Sequence, residues 1–355
     1  MIKVLVVDDS AFMRKKLTEI LESDPEIEVI ATARDGEDAI RKAEEYLPDV
    51  ITLDINMPRM DGLTALRILM QKKIAPVVMV SSLTQEGAEI TLKALEMGAF
   101  DFVPKPGGTI SLDIDKVKED IIEKVRAAAT SSKKFVVRKE LAKKTMFDVS
   151  ARPTISTQHE EQKPFKAIVI GISTGGPKTI MDVLPYLPPN LNACVFLIQH
   201  MPPTFTAQYA KRLNENCQIE VIEASAGMKV EKSKCYVGKG GYHLTLYGTN
   251  IEDLRIRLTQ KPEHRFMPSV DVCMMSVLEK FQENTIGVLM TGMGDDGADA
   301  MVKIRQRGGI TIAESEETAI VFGMPREAIL RGGADYVLPS YKIAEKLIEL
   351  IGQED

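Results

Sequence analysis

Lys166-Ala-Ile-Val-Ile-Gly171-Ile-Ser173-Thr-Gly175-Gly-Pro177 decides how the second half of this chain folds. Ala167 to Ile170 are apolar and read as a buried strand. The strand runs into Gly171-Ile-Ser173-Thr-Gly175, the G-x-S-x-G spacing of a nucleophile elbow, which lifts one hydroxyl above the end of a sheet. Glycines flank the serine because such a turn needs unusual backbone angles and leaves no room for side chains. Pro177 suits the first turn of a helix, where its missing N–H costs nothing. That helix start would aim free N–H groups at an oxyanion forming near Ser173. A Gly-rich strand-to-helix turn also cradles phosphate or nucleotide, so the spacing leaves both readings open.

A chain of 355 residues points to two domains. Apolar content of 44% and charged content of 27% are ordinary for a globular protein, enough for two cores. A formal net charge of −6 argues against general binding to nucleic acid or to an anionic membrane surface. No apolar run is long enough to insert directly into a membrane. Cys194, Cys217, Cys235 and Cys273 match no zinc spacing. Without a signal peptide they read as reduced core residues, and the expected location is cytoplasmic.

The first 125 residues alternate strands and helices. Strands are expected at 2–7, 28–33, 50–53, 76–80 and 101–103, with helices near 11–21, 37–46, 62–70, 86–96 and 112–128. Five of each imply a doubly wound parallel sheet, whose ligand site lies beyond the carboxyl ends of the strands. The first strand ends in Asp8 and Asp9, the third in Asp54, the fourth in Ser81 and the fifth near Lys105. Three carboxylates and one ammonium therefore converge. Clustered carboxylates stay ionised only with a cation among them, and hard oxygen ligands suit Mg²⁺. Any one such acid could be a solvated strand end; matching positions on four strands are harder to ascribe to chance.

These stretches, Val-Val-Asp8-Asp9-Ser, Leu-Asp54-Ile-Asn56-Met-Pro, Met-Val-Ser81-Ser and Phe102-Val-Pro-Lys105-Pro, resemble the receiver domains of two-component response regulators. The resemblance implies that Asp54 accepts a phosphoryl group from a histidine kinase. It implies Mg²⁺ held by Asp8, Asp9, Asp54 and the Asn56 carbonyl. Lys105 and Ser81 would bind phosphoryl oxygens, and Phe102 would move with Ser81. Mg²⁺ and Lys105 would neutralise the transferring group while Asp54 supplies the nucleophilic oxygen. Lys105–Pro106 is a candidate for a cis bond.

Between 126 and 165 apolar periodicity fades, and Ala, Ser, Thr, Lys and Gln dominate. This segment reads as an interdomain linker, helical at its start, with His159 solvated. From 166 to 355 a second doubly wound α/β domain is expected, with β-hairpins on the sheet edge within 219–258. Ser173, His200 and Asp296 each follow a buried strand. A serine becomes a useful nucleophile when a base removes its proton, and the base needs an orienting carboxylate. The order Ser–His–Asp departs from that of the α/β-hydrolases, so the elbow alone does not assign that fold. His243 and His264 fall in the hairpin and the loop after it, where substrate contact or plain exposure is expected. Gly292-x-Gly294-x-x-Gly297, with Glu314 at the end of the next strand, also matches a dinucleotide fingerprint. Asp295 and Asp296 would sit where pyrophosphate should bind, which opposes that use.

Gly171-Ile-Ser-Thr-Gly-Gly-Pro177, Gln199-His-Met-Pro202, Gly240-Gly-Tyr-His243 and Thr291-Gly-Met-Gly-Asp-Asp-Gly-Ala298 resemble the catalytic domain of the chemotaxis protein-glutamate methylesterases. That resemblance implies a Ser173–His200–Asp296 triad needing no cofactor. It implies hydrolysis of glutamyl methyl esters, and deamidation of certain glutamines, on the cytoplasmic helices of methylated chemoreceptors. Elbow geometry offers the Thr174 N–H as an oxyanion donor, and the family offers Met293. An unphosphorylated receiver docked over the catalytic mouth would exclude a bulky helical substrate until Asp54 is phosphorylated. Two other classes remain open on the sequence: a receiver joined to a noncatalytic phosphate- or nucleotide-binding module, and a nucleotide-dependent oxidoreductase using the 292–297 loop.

Overall fold

A computed structural model describes residues 1–82, 84–105, 114–131 and 165–352. The first sheet carries β1 (Ile2–Val7), β2 (Ile27–Ala33), β3 (Val50–Asp54), β4 (Val77–Ser81) and β5 (Asp101–Pro104) in the order β2-β1-β3-β4-β5. All its pairings are parallel. β3, β4 and β5 are buried along their whole length, as a sheet covered on both faces requires. The helices are α1 (Ala11–Glu22), α2 (Gly36–Tyr46), α3 (Gly62–Lys72), α4 (Gln85–Glu96) and α5 (Ile114–Ser131). Ser10, Asp35, Asp61 and Thr84 cap the first four, each accepting a backbone N–H from the first turn. Gly62 is dictated by packing: a Cβ there would lie 2.0 Å from the Asp54 carbonyl oxygen. Helix α5 continues to Ser131, several residues into the segment read as a linker, whose remainder to 164 lies outside the described residues, as does Pro106.

The second sheet has seven strands, all parallel: β6 (Lys166–Ile172), β7 (Ala193–Gln199), β8 (Glu220–Glu223), β9 (Lys234–Val237), β12 (Thr285–Leu289), β13 (Ile310–Glu314) and β14 (Tyr336–Leu338), ordered β14-β13-β12-β6-β7-β9-β8. Strand order reverses at β6, so the crevice for a ligand lies between the ends of β6 and β12. The region 219–258 differs in part from the hairpins expected. β8 and β9 run parallel, because the ten residues between them are enough to carry the chain back across the edge. Only β10 (His243–Tyr247) and β11 (Arg255–Thr259) pair antiparallel, as a separate two-stranded sheet.

The helices here are α6 (Gly176–Thr179), α7 (Pro203–Asn214), α8 (Val270–Phe281), α9 (Ala298–Gln306), α10 (Met324–Leu330) and α11 (Ser340–Ile351). The helix after the elbow is a single turn; two 3₁₀ turns follow it, in a stretch holding Pro185, Pro188 and Pro189. Cys194, Cys235 and Cys273 are buried and Cys217 partly so; all are free thiols. No helix among the described residues is long and apolar enough to cross a membrane.

The two halves meet through helices, α4 packing against α7. Phe102 of β5 stacks on Phe205 of α7, ring centroids 4.6 Å apart and planes 10° apart. Arg212 pairs with Glu96, and Arg265 reaches Glu123 at 3.1 Å and Glu119 at 3.5 Å.

Candidate active site

The carboxyl ends of β1, β3 and β5 form the first site. Oxygens of Asp8, Asp9 and Asp54 lie within 4.8 Å of one another. The Lys105 ammonium sits 2.9 Å from Asp8 Oδ2 and 2.9 Å from Asp54 Oδ1. Burial pushes the Asp54 carboxyl up, Lys105 opposes this, and the Asp8 charge adds to it. Burial also works against the Lys105 charge, but the two carboxylates outweigh it and raise its pKa. Asp54 Oδ2 is buried without a hydrogen-bond partner. An all-oxygen donor set with one unpartnered buried oxygen fits Mg²⁺. Asn56 follows in the exposed loop after β3. The Ser81 hydroxyl is held by other partners: it can donate to the Ser82 carbonyl at 3.2 Å or the Gly87 carbonyl at 3.4 Å, and it accepts from Thr91 Oγ1 at 2.7 Å.

The second site lies at the ends of β6, β7 and β12. The Ser173 N–H donates to the Thr291 carbonyl at 2.9 Å, and Gln199 Nε2 donates to the Ser173 carbonyl at 3.0 Å. Thr291 Oγ1 donates to the Thr174 carbonyl at 2.9 Å. Three strand ends are thereby tied together around the serine. Gly292 is required by close approach, since a Cβ there would lie 2.8 Å from Ser173 Cβ and 2.2 Å from Met324 Sδ. The backbone N–H groups of Thr174 and Met293 have no partner among the described residues.

Asp296 starts the turn before α9 and aims at the N-terminus of α8. It accepts the Val270 N–H at 2.7 Å, the Asp271 N–H at 3.1 Å and the Ser269 hydroxyl at 2.8 Å. His200 Nε2 donates to Asp296 Oδ2 at 2.8 Å. Burial resists ionisation of Asp296, but the His200 bond and the backbone donors outweigh it and hold its pKa at about 2. The opposite ring nitrogen, His200 Nδ1, is buried and has no hydrogen-bond partner. Phe266 stacks on the His200 ring, centroids 4.1 Å apart and planes 7° apart. No motif or spacing in the sequence signals this aromatic cover. Asp295 turns outward to pair with Arg331 at 2.6 Å, leaving Asp296 as the acid at the histidine.

The dinucleotide pattern has a different use. Glu314 is fully buried, accepting the Thr291 N–H and the Thr318 hydroxyl at 2.8 Å each, so it is not presented to a ribose. His243, expected at a substrate contact or in solvent, is instead wholly buried. It stands on the face of β10 that carries the half-exposed Thr245 and Tyr247, and the loop that follows β11 covers it.

A five-stranded parallel domain with acids and a lysine at its strand ends, docked on a second α/β domain, defines a response regulator with an α/β output domain. Residues 4–113 match the model of the response regulator receiver domain, and residues 168–347 match that of CheB methylesterase. A protein-glutamate methylesterase/protein-glutamine glutaminase of Syntrophomonas wolfei is 58% identical, covering 99% of this chain and 100% of that one. A relative of the same description from Caldanaerobacter subterraneus is 52% identical over 99% of this chain and 97% of its own. The crystal structure of the Thermotoga maritima CheB methylesterase catalytic domain is 42% identical with a TM-score of 0.51, covering 52% of this chain and 98% of that one. The chain belongs to the CheB methylesterase family, with a receiver domain ahead of the catalytic domain.

Proposed function

We propose that this protein is a cytoplasmic, phosphorylation-activated serine esterase that hydrolyses glutamyl methyl esters, and deamidates specific glutamines, on chemoreceptor helices. In this reading residues 1–125 are the receiver, 126–165 the linker and 166–355 the catalytic domain. The observation that carries it is the Asp296–His200 pair. Asp296 holds Nε2–H, which leaves Nδ1 as the base at the end of β7, beside the elbow on β6.

Ser173 Oγ attacks the ester carbonyl carbon as its proton passes to His200 Nδ1. The Thr174 and Met293 N–H groups receive the resulting oxyanion. His200 returns the proton to the departing methoxide, releasing methanol and leaving Ser173 acylated. Water then attacks the acyl group, losing a proton to His200, and Ser173 leaves with that proton. A glutamine side chain follows the same course with ammonia as the leaving group. Asp296 keeps the Nε2–H tautomer and stabilises the imidazolium formed in each half.

Asp54 is the phosphoryl acceptor from a chemotaxis histidine kinase. Asp8, Asp9, Asp54 and the Asn56 carbonyl would hold Mg²⁺, which supplies charge neutralisation to the transferring phosphoryl group. Lys105 adds its ammonium, and Ser81 and Phe102 answer the new charge. Control by occlusion is supported by where the first domain touches the second. Asp101 accepts the Gly175 N–H at 3.3 Å, two residues from Ser173. Phe102 stacks on Phe205, five residues from His200. Glu119 and Glu123 hold Arg265, next to the Phe266 that covers His200.

The test is methanol release from a methylated receptor fragment, with and without a small-molecule phosphodonor. Ser173→Ala should abolish release. Normal turnover in that variant removes Ser173 as nucleophile, and absence of release by the wild-type protein removes the esterase reading.

A further inference from the structure

His243 is a buried histidine that none of these steps employs. Its Nδ1 accepts the Ser269 N–H at 3.2 Å, and its Nε2 donates to the Pro262 carbonyl at 3.0 Å. One imidazole thus joins the two ends of a single loop, residues 262–269. Accepting at Nδ1 and donating at Nε2 defines one neutral tautomer. Burial is the main cause that holds its pKa below the usual value. The titratable groups around it act in opposite senses: His264, ring centroid 6.2 Å away, disfavours protonation and Asp296 favours it.

What the loop carries makes the clamp informative. Phe266 lies flat on the His200 ring. Ser269 caps α8, accepting the Val272 N–H, and donates its hydroxyl to Asp296 Oδ1 at 2.8 Å. The Met267 carbonyl accepts the Gly241 N–H at 2.9 Å, fixing the loop to the turn before β10. The loop therefore touches both residues proposed to act with the serine, and His243 holds it at both ends.

Resting on the esterase reading above, we infer that His243 is a positioning residue: through Ser269 and Phe266 it sets the Asp296–His200 pair in working geometry. It acts on turnover and makes no contact with substrate. This role differs from simple core filling, because it depends on an acceptor at the Nδ1 position.

The test uses the full-length protein with a phosphodonor and a methylated receptor fragment. His243→Ala should lower kcat about tenfold or more with KM within about twofold, the loss of a buried hydrogen bond being large on this scale. His243→Asn places an acceptor near the Nδ1 position and should recover most of kcat. His243→Gln moves its amide out to the Nε2 position and should not. Thermal melts on the same samples separate lost turnover from lost fold, and kcat is taken per folded molecule. Nitrogen-15 spectra of the wild-type imidazoles should show His243 as the Nε2–H tautomer, unchanged from about pH 8 to about pH 6. Wild-type kcat in all three variants overturns the inference. So does a loss confined to KM, an Asn variant no better than Ala, or an imidazolium spectrum at pH 6. Failure of the wild-type protein to release methanol would instead strike the esterase reading, and the nitrogen spectra would still report the clamp.

Discussion

Replacing Phe102 by alanine should raise esterase turnover in the absence of any phosphodonor. The ring is 4% exposed and lies flat on Phe205, which is fully buried. Only the face toward Phe205 counts for docking; the rest packs within the first domain, beside the Lys124 ammonium. About a third of an aromatic side chain's buried area, roughly 60 Å², is worth ~1.5 kcal/mol at ~25 cal/mol per Å². The stacked geometry itself adds ~0.5 kcal/mol or more. A loss of ~2 kcal/mol weakens closure of the tethered domains about 30-fold. For domains closed about 99% of the time, the open fraction then rises from about 1% to roughly 20%. Basal methanol release should follow it, rising on the order of twentyfold, while the fully phosphorylated rate changes little. Phe205→Ala should act in the same direction, and the double variant should add less than the sum of the two, because both remove one contact. Basal turnover unchanged within about twofold in a folded Phe102→Ala protein would refute the occlusion argument. Strictly additive effects would show that the two rings do not act as a pair.

Three other outcomes are expected. Asp54→Asn should bring the ratio of stimulated to basal methanol release down to about one, since no carboxylate remains to take the phosphoryl group. Asp296→Asn should abolish turnover and also flatten acid stability. Its pKa falls from 3.8 unfolded to about 2 folded, so its contribution is complete above the unfolded value and disappears as pH falls through about 2. Thermal melts between about pH 5 and pH 2 should lose ~2 kcal/mol of their pH dependence in the variant. Glu314→Ala strands the buried Thr291 N–H and should cost ~1–3 kcal/mol in urea denaturation, with kcat lowered more than KM because Thr291 ties down the elbow.

The parallel sheets were legible in the sequence because buried strands are written as continuous apolar runs such as Val-Leu-Val-Val in β1 and Ile-Val-Ile in β6. Chemistry follows at their carboxyl ends, so Asp8, Asp54, Ser173 and His200 could be placed by topology alone. Shorter or half-exposed elements gave no such signal. β14 has three residues, none fully buried, and α10 has seven with a proline in its first turn. His243 was misplaced because it shares a strand face with the half-exposed Thr245 and Tyr247, which reads as outward; it is buried by the 262–269 loop folding over it, which the sequence of the hairpin does not show. Phe266 was missed for a similar reason. Its partner His200 is 66 residues away, and nothing in the composition of a loop reports a ring stacked across that separation.

The same strand explains how charge at one site could be felt at the other. β5 is four residues long. Just past its end Lys105 holds Asp8 and Asp54, and Asp101 at its start accepts the Gly175 N–H behind the nucleophile. Phe102 lies between them on Phe205. Burial raises the Asp101 pKa, with the Lys124 charge opposing it. A phosphoryl group on Asp54 would compete for the Lys105 ammonium. It would also offer Ser81 a charged acceptor in place of the Ser82 carbonyl at 3.2 Å and the Gly87 carbonyl at 3.4 Å. In the proposed scheme Ser81 would move toward the phosphoryl group and Phe102 would move with it, and a Phe102 so moved would no longer lie flat on Phe205. Closure and phosphorylation would then favour different positions of one ring, and a difference of a few kcal/mol between them would suffice to move the equilibrium from mostly closed to mostly open.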